Sequence, residues 1–238
     1  SETFASTCAT CHASDDGGLL VDGRTNAQLD RDRIARMAHG LPGSTWGRGS
    51  VDVTADGVTN AAAIPDLRSI RYQNRLHWAA TLYNSPEALA VRVETLMITS
   101  ASQRMRPPRE VAVAIAYYLW SMGEQEPEAA HDLPGATLFE QNCSTCHHAD
   151  GTTAEPVAIE AIGTDPRVGQ SSMRGTGTYR VPSLYRVGSR TQFLHEGKVE
   201  SLEELFDPAR LDDVGGHVYG TTLSAEQREQ LVTYLRTL

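Results

Sequence analysis

The sequence predicts an all-α chain built from two similar units in tandem. Helical stretches with recognisable start signals recur along the 238 residues, whereas alternating strand patterns are scarce. A five-residue motif also occurs twice, as CATCH at 8–12 and as CSTCH at 143–147, and similar segments surround both copies. The repeat divides the chain into a first unit at 1–123, a polar linker at 124–134 and a second unit at 135–238.

Both units open in the same way. Phe4 precedes Cys8 by four residues, and Phe139 precedes Cys143 by four residues. Residues four apart lie on one face of a helix, so we expect each phenylalanine to share a helix face with the first cysteine of its motif.

Helix start and stop signals place further helices in both units. REVAVAIAYYLWSMG closes the first unit and stops at Gly123. The apolar stripe of this helix consists of Val111, Ile115, Tyr118, Leu119 and Met122. LSAEQREQLVTYLRTL closes the second unit, and Ser224 and Gln227 have the spacing of a capping box. Capping signals at Ser85 and Ser201 predict one more helix in each unit.

The central segments of the two units can also be aligned. IPDLRSIRYQNRLHW in the first unit matches VPSLYRVGSRTQFLHEG in the second. Pro65 precedes His77 by 12 residues, and Pro182 precedes His195 by 13. The alignment indicates that the two units are repeats over most of their length.

All four cysteines lie in the two motifs, and three chemistries use CxxC pairs. A four-thiolate zinc site keeps its pairs within about twenty residues, whereas Cys11 and Cys143 lie 132 positions apart. A thiol–disulfide site usually lies in a βαβ unit, which the sequence lacks. Haem c attachment uses all five positions, because two thiolates add to the haem vinyl groups and the histidine binds iron. The motifs therefore predict two covalently attached haem c groups, held by Cys8, Cys11 and His12 and by Cys143, Cys146 and His147.

With a helix before the motif and an aromatic-bearing helix at the end, each unit resembles the cytochrome c fold. The segments RGTGTYRVPSLYRVGSRTQFLHEGKVESLEELF and GHVYGTTLSAEQREQLVTYLRTL resemble the C-terminal domain of the bacterial diheme cytochrome c peroxidase superfamily. The resemblance is specific over 135–238 and loose over 1–123. It implies two tandem cytochrome c-like domains whose haems lie close together. The superfamily contains both enzymes and carriers, so the function depends on the site.

The residue opposite each motif histidine decides whether the iron is saturated. In the first unit Met105 stands in the proline-rich loop QRMRPPRE before the last helix, where small cytochromes c carry their methionine ligand, and His77 is the alternative. In the second unit the loop GGHVYGTTLS brings His217 to the like position, with His195 and Met173 as alternatives. The favoured metal ligands are His12, Met105, His147 and His217. Arg68 and Arg186 are candidates to pair with haem propionates.

Charge and hydropathy limit the partners and the location. The net charge is −9, which argues against nucleic acid, and residues 124–238 hold 18 acidic against 9 basic residues. This asymmetry predicts a redox partner with a basic docking face. No apolar run is long enough to span a membrane, and no signal peptide is visible. Since haem c is attached outside the cytoplasm, we expect a periplasmic or otherwise extracytoplasmic bacterial protein whose targeting segment has been removed.

Two functions follow from the two possible states of the irons. Saturated irons leave no substrate site, so the sequence favours an electron carrier without catalytic residues, passing electrons between its haems and external partners. The alternative is a peroxidase that reduces hydrogen peroxide, or a related haem oxygenase, and it needs a haem that can open. Peroxidases of the superfamily resemble one another in having an open-type first haem and a methionine-ligated second haem. This chain shows methionine first and histidine second, which favours the carrier.

Overall fold

The computed structural model describes residues 7–16, 19–30, 46–52, 56, 58–99, 106–124 and 129–238. Within these residues the fold is 36% helical and 11% strand, with seven α-helices and four two-stranded antiparallel sheets. The prediction of an all-α fold is therefore wrong, and the chain is a mixture of helices and small sheets. The strands are two to four residues long, which is too short for an alternating pattern to stand out in the sequence.

The described residues of the first half form three helices and three hairpins. The helices are α1 (Cys8–His12), α2 (Pro86–Thr99) and α3 (Arg109–Ser121). The hairpins pair β1 (Ala13–Asp16) with β2 (Leu19–Asp22), β3 (Ser50–Val51) with β4 (Ala62–Ala63), and β5 (Arg75–Leu76) with β6 (Leu82–Tyr83). A 3₁₀ turn at Ile70–Tyr72 leads into the third hairpin.

The second half contains four helices and one hairpin. The helices are α4 (Pro134–Asn142), α5 (Ile159–Ile162), α6 (Leu202–Phe206) and α7 (Ala225–Leu235). The hairpin pairs β7 (Val157–Ala158) with β8 (Thr178–Tyr179). Two 3₁₀ turns lie at Val187–Ser189 and Pro208–Asp212.

Side-chain caps fix the start of three helices. The Ser85 hydroxyl accepts a hydrogen bond from the backbone amide of Ala88, the third residue of α2, at 3.1 Å. The Ser201 hydroxyl accepts one from the backbone amide of Glu204, the third residue of α6, at 3.0 Å. At α7, Ser224 and Gln227 form a complete capping box. The three predicted helix starts are therefore confirmed.

Helices α4 and α7 cross at close range and organise the core of the second half. The rings of Phe139 and Tyr234 lie 5.3 Å apart at the crossing. A Cβ atom on Gly135 would lie only 2.1 Å from the Gln230 carbonyl oxygen, so glycine permits this approach. The Cys143 amide donates to the Phe139 carbonyl at 2.8 Å, which places Phe139 one turn before the motif. The first and last helices of this half therefore pack against each other next to the second motif.

Helix α3 packs along α2 through only part of the predicted stripe, of which Ile115 and Leu119 pack against the shared core cluster. Ala112 and Ala116 are buried between the two helices, whereas Val111 and Tyr118 are exposed. Small side chains let two helices approach closely, so alanines form the contact. The helix predicted before the first motif, with Phe4, falls on residues outside the described ones.

Three apolar clusters hold the described chain together. One lies within the second half, and another lies within the first half around α2 and α3. The third joins Ala62 and Ala79 of the first half to Ile159, Val168 and Tyr179 of the second. No helix of the described residues is long and apolar enough to cross a membrane.

Candidate functional site

A proline carbonyl holds the histidine of each motif. His12 Nδ1 lies 3.1 Å from the Pro65 carbonyl oxygen, and His147 Nδ1 lies 3.0 Å from the Pro182 carbonyl oxygen. A carbonyl oxygen only accepts hydrogen bonds, so the proton of each neutral ring is on Nδ1 and Nε2 is left for a metal. The sequence repeat is therefore also a structural repeat at the two motif histidines.

Burial keeps both motif histidines neutral, as metal binding requires. Burial lowers the pKa of His12, although the Pro65 carbonyl and Asp66 oppose the change. For His147, burial together with the nearby His217 lowers the pKa to about 3. Neither ring needs to lose a proton before it can bind iron near neutral pH.

The second motif forms a tight turn after α4. The amides of Cys146 and His147 both donate to the Cys143 carbonyl, at 3.1 and 2.9 Å. Burial and the neighbouring Cys146 raise the pKa of the Cys143 thiol to about 12. All four cysteines of the chain are free of disulfides, and both motifs therefore present unbridged thiols.

His217 faces the motif histidine of the second half. The centroids of the His147 and His217 rings lie 6.3 Å apart, with an interplanar angle of 58°. Two imidazoles bound on opposite sides of one metal at about 2 Å each would have centroids about 6 Å apart. The spacing fits a single iron between the two rings. Burial, followed by the charge of Arg210, lowers the pKa of His217 to about 4, so this ring is neutral as well.

The two alternatives to His217 have other surroundings. The His195 ring is buried, stacks on Tyr179 at 4.3 Å and meets Trp78 edge-on at 6.5 Å. The Met173 side chain is exposed. These contacts favour His217 among the three candidates, and the ligand assignment stays a prediction.

In the first half, the predicted ligand Met105 lies outside the described residues. His77 Nδ1 contacts the Thr81 hydroxyl, and its buried Nε2 has no hydrogen-bond partner among the described residues. The left-handed backbone at His77 (φ 64°) recurs at Leu194 (φ 62°) rather than at His195. Both residues follow their proline by 12 positions, so the structural repeat pairs His77 with Leu194, and the sequence alignment was wrong by one residue here.

A large cavity adjoins the first motif. Its volume is about 1260 Å³, and its lining includes Ala13 and Asn26 of the first half and Gln192 of the second. The backbone amide of Asn26 donates to the Cys11 carbonyl at 3.0 Å, so the wall of the cavity is hydrogen-bonded to the first motif. Cofactor sites generally measure several hundred cubic ångströms, so the cavity is large enough for a haem.

Two arginines missed by the sequence reasoning lie where the halves meet. Arg180 is buried, and its pKa is lowered to about 9 by burial and by the charge of Arg190. The Nε atoms of Arg180 and Arg190 are buried and have no partner among the described residues. Buried cations normally have anionic partners, so these atoms fit haem propionates.

The two arginines proposed from the sequence have other environments. Arg68 binds Asp66 at 2.5 Å and the Ser189 hydroxyl at 2.9 Å, and Arg186 is exposed. The rings of Tyr72 in the first half and Tyr185 in the second also lie in contact, with centroids 5.0 Å apart. The sequence alone could not show which arginines are available to a propionate. An arginine that already pairs with a nearby carboxylate, as Arg68 does with Asp66, is not available.

The donor set of the second half, two facing neutral histidines beside a CxxC turn, has the chemistry of a haem c site. The family model of cytochrome c matches residues 133–238. Residues 133–238 form a cytochrome c domain. The cytochrome c domain implies covalently bound haem c with its iron, and it contains the second motif.

Comparisons of the whole chain are more distant. No curated protein matches its sequence. Among solved structures, the chain is similar to a MauG-like protein associated with microbial copper homeostasis, with 18% sequence identity and a TM-score of 0.49. That match covers 79% of this chain and 76% of the other.

Proposed function

We propose that the chain is a diheme c-type cytochrome of the diheme peroxidase superfamily that transfers electrons between two covalent haems and external redox partners. The observation that carries the proposal is the 6.3 Å spacing of the His147 and His217 rings. An iron between these rings would have protein ligands on both sides and no position for a substrate. Haem supplies reversible one-electron chemistry when bound.

The histidine–proline contact occurs in both halves, which supports one haem in the first half in addition to the haem of the second. His12 is held through Nδ1 as His147 is, so both motifs present Nε2 in the same way. The loops that follow the two prolines also meet. Arg24 and Arg68 of the first half donate to the carbonyl and hydroxyl of Ser189, at 3.3 and 2.9 Å. This contact supports a short path between the two sites, as electron exchange requires.

The proposed partner is a redox protein with a basic docking face, and the proposed location is extracytoplasmic. The excess of acidic residues in 124–238 supports the first proposal. Attachment of haem c outside the cytoplasm supports the second.

Mass and spectra of the full chain test the number and state of the haems. Made in a host that attaches haem c, the chain should carry two added haem masses. The C143S/C146S variant should carry one, because thioether bonds at the second motif are lost. Electron paramagnetic resonance of the oxidised protein should show two low-spin irons. A chain with one haem or none, or a high-spin second iron, would contradict the proposal.

Met105 is the proposed sixth ligand of the first iron. Replacing Met105 with alanine should abolish the weak red absorption band of iron–methionine bonding. Replacing the exposed Met173 with alanine is the matched control and should leave the band intact. Survival of the band in the Met105 variant would remove Met105 from the ligand set.

The second candidate is a peroxidase. The cavity of about 1260 Å³ beside the first motif exceeds the several hundred cubic ångströms of a usual cofactor site, so it would leave room for a substrate beside a first haem. Steady-state assays with hydrogen peroxide, on fully oxidised and on half-reduced protein, distinguish the two functions. A carrier should show little turnover in either state. Turnover on the order of 10 per second in either state would establish the peroxidase.

A further inference from the structure

We propose that Arg210 is a positioning residue that holds His217 in place as a permanent ligand and so keeps the second haem closed to external ligands. The inference rests on the proposed function, because it assumes that His217 binds the second iron. It concerns the loop that carries His217, which lies between the 3₁₀ turn Pro208–Asp212 and α7.

The guanidinium of Arg210 binds the loop at several points at once. Nε donates to the Leu205 carbonyl at 2.7 Å, and Nη1 donates to the carbonyls of Val214 and Gly216 at 2.9 and 3.0 Å. Nη2 donates to the carbonyl of His217 itself at 2.7 Å. The side chain therefore connects the end of α6 to three positions of the loop, including the proposed ligand.

The His217 backbone needs such support because its conformation is unfavourable. Gly216 and His217 have φ angles of 81° and 45°. A left-handed backbone conformation is unfavourable in free energy for a residue other than glycine, such as His217. On the other side of the loop, the His217 amide donates to the Ile162 carbonyl at 2.8 Å. A Cβ atom on Gly216 would lie 2.5 Å from Thr164, so the loop is pressed closely against the end of α5.

The Tyr219 ring meets the His217 ring edge-on at 5.6 Å, but no hydrogen bond within the described residues orients the His217 ring through Nδ1. Its Nδ1 is buried and has no hydrogen-bond partner among the described residues, whereas Nδ1 of His147 binds the Pro182 carbonyl. Ligand histidines are usually oriented through this second nitrogen. In His217 the orientation therefore depends on the backbone, which Arg210 holds, and on the edge contact with Tyr219.

Binding of imidazole to the oxidised full-length protein tests the proposal. In Arg210→Gln the loop loses its clamp, and imidazole should replace His217 about tenfold faster or more, as is typical when a residue supporting a metal ligand is lost. Arg210→Lys keeps the charge but cannot reach all four carbonyls, so it should also bind imidazole faster. Should the glutamine variant fail to fold, the lysine variant decides.

Arg228→Gln is the matched control. Arg228 also donates to a backbone carbonyl, that of Leu223 at 2.7 Å, but it makes no contact with His217 among the hydrogen bonds of the described residues. Its variant should bind imidazole at the wild-type rate. Wild-type rates in both Arg210 variants would overturn the positioning role.

A separate variant distinguishes failure of this inference from failure of the proposed function. His217→Ala should convert the second iron from low-spin to high-spin in the absence of imidazole. An unchanged spectrum would show that His217 is not the ligand, which overturns both proposals. A high-spin spectrum in His217→Ala with wild-type rates in the Arg210 variants would overturn only the role of Arg210.

Discussion

The buried histidines of this protein differ from free histidine because burial disfavours their charged form. The pKa of His195 is lowered to about 4, chiefly by burial, against an ordinary value of 6.5. Above pH 6.5 the ring is neutral in both the folded and the unfolded chain. Between pH 6.5 and 4 the unfolded chain takes up a proton that the folded chain does not, so the unfolded state gains stability as the pH falls.

His195 should therefore make the protein less stable in acid. The depression of its pKa corresponds to a loss of about 3 kcal/mol when the pH falls from 7 to 4. His195→Phe removes the titrating group and keeps an aromatic ring beside Tyr179. Denaturant unfolding at pH 7 and pH 4.5 should show a smaller difference in unfolding free energy for this variant than for the wild type.

The control for this measurement is His131→Gln, because His131 is exposed. The unfolding free energy of the His131→Gln variant should change between pH 7 and pH 4.5 by the same amount as that of the wild type. Equal pH dependence in the His195→Phe variant and the wild type would refute the assignment of this acid sensitivity to His195.

At the scale of elements, the crossing of α4 and α7 depends on the lack of a side chain at Gly135. Gly135→Ala would push a methyl group into the Gln230 carbonyl and the Tyr234 side chain. We expect this overpacking to lower the unfolding free energy by about 3 kcal/mol. Gly215→Ala is the control, because its Cβ would have no neighbour nearer than 3.7 Å. Thermal unfolding of both variants tests the expectation, and equal midpoints would contradict it.

Local signals in the sequence identified the helices, but not all of their contacts. The caps at Ser85, Ser201 and Ser224 depend on residues within one turn and were predicted correctly. The buried face of α3 was predicted only in part: Ile115 and Leu119 pack against the core, but the approach of α2 buries Ala112 and Ala116 rather than Val111 and Tyr118. The short hairpins were missed because strands of two to four residues are too short to show an alternating pattern.

The candidate site shows the same division between local and distant information. The motif residues and the loop of His217 could be predicted, since each is a short segment with its own pattern. The contact of Arg210 with that loop could not, because it depends on how a 3₁₀ turn packs against α6. Likewise, the free Nε atoms of Arg180 and Arg190 arise only where the two halves meet.

For the whole molecule, the uneven charge should govern association. Residues 124–238 carry the excess of acidic residues, while residues 1–123 are balanced. The association rate with a basic redox partner should fall about tenfold or more between low and high ionic strength, because salt screens the attraction. Stopped-flow reduction at several salt concentrations measures this effect. An uncharged small reductant is the control and should show no comparable decline, and a salt-independent rate with the basic partner would contradict the prediction.

The crossing at Gly135 also bears on the order in which the protein matures. Its two helices lie about a hundred residues apart in sequence, so the contact has a long loop to close. Until α7 has been synthesised and folded, Phe139 has no partner in Tyr234, and the neighbouring cysteines remain in an open chain. We therefore expect haem attachment at Cys143 and Cys146 to be easiest before the final helix packs against α4, which would make this crossing a late step in the folding of the domain.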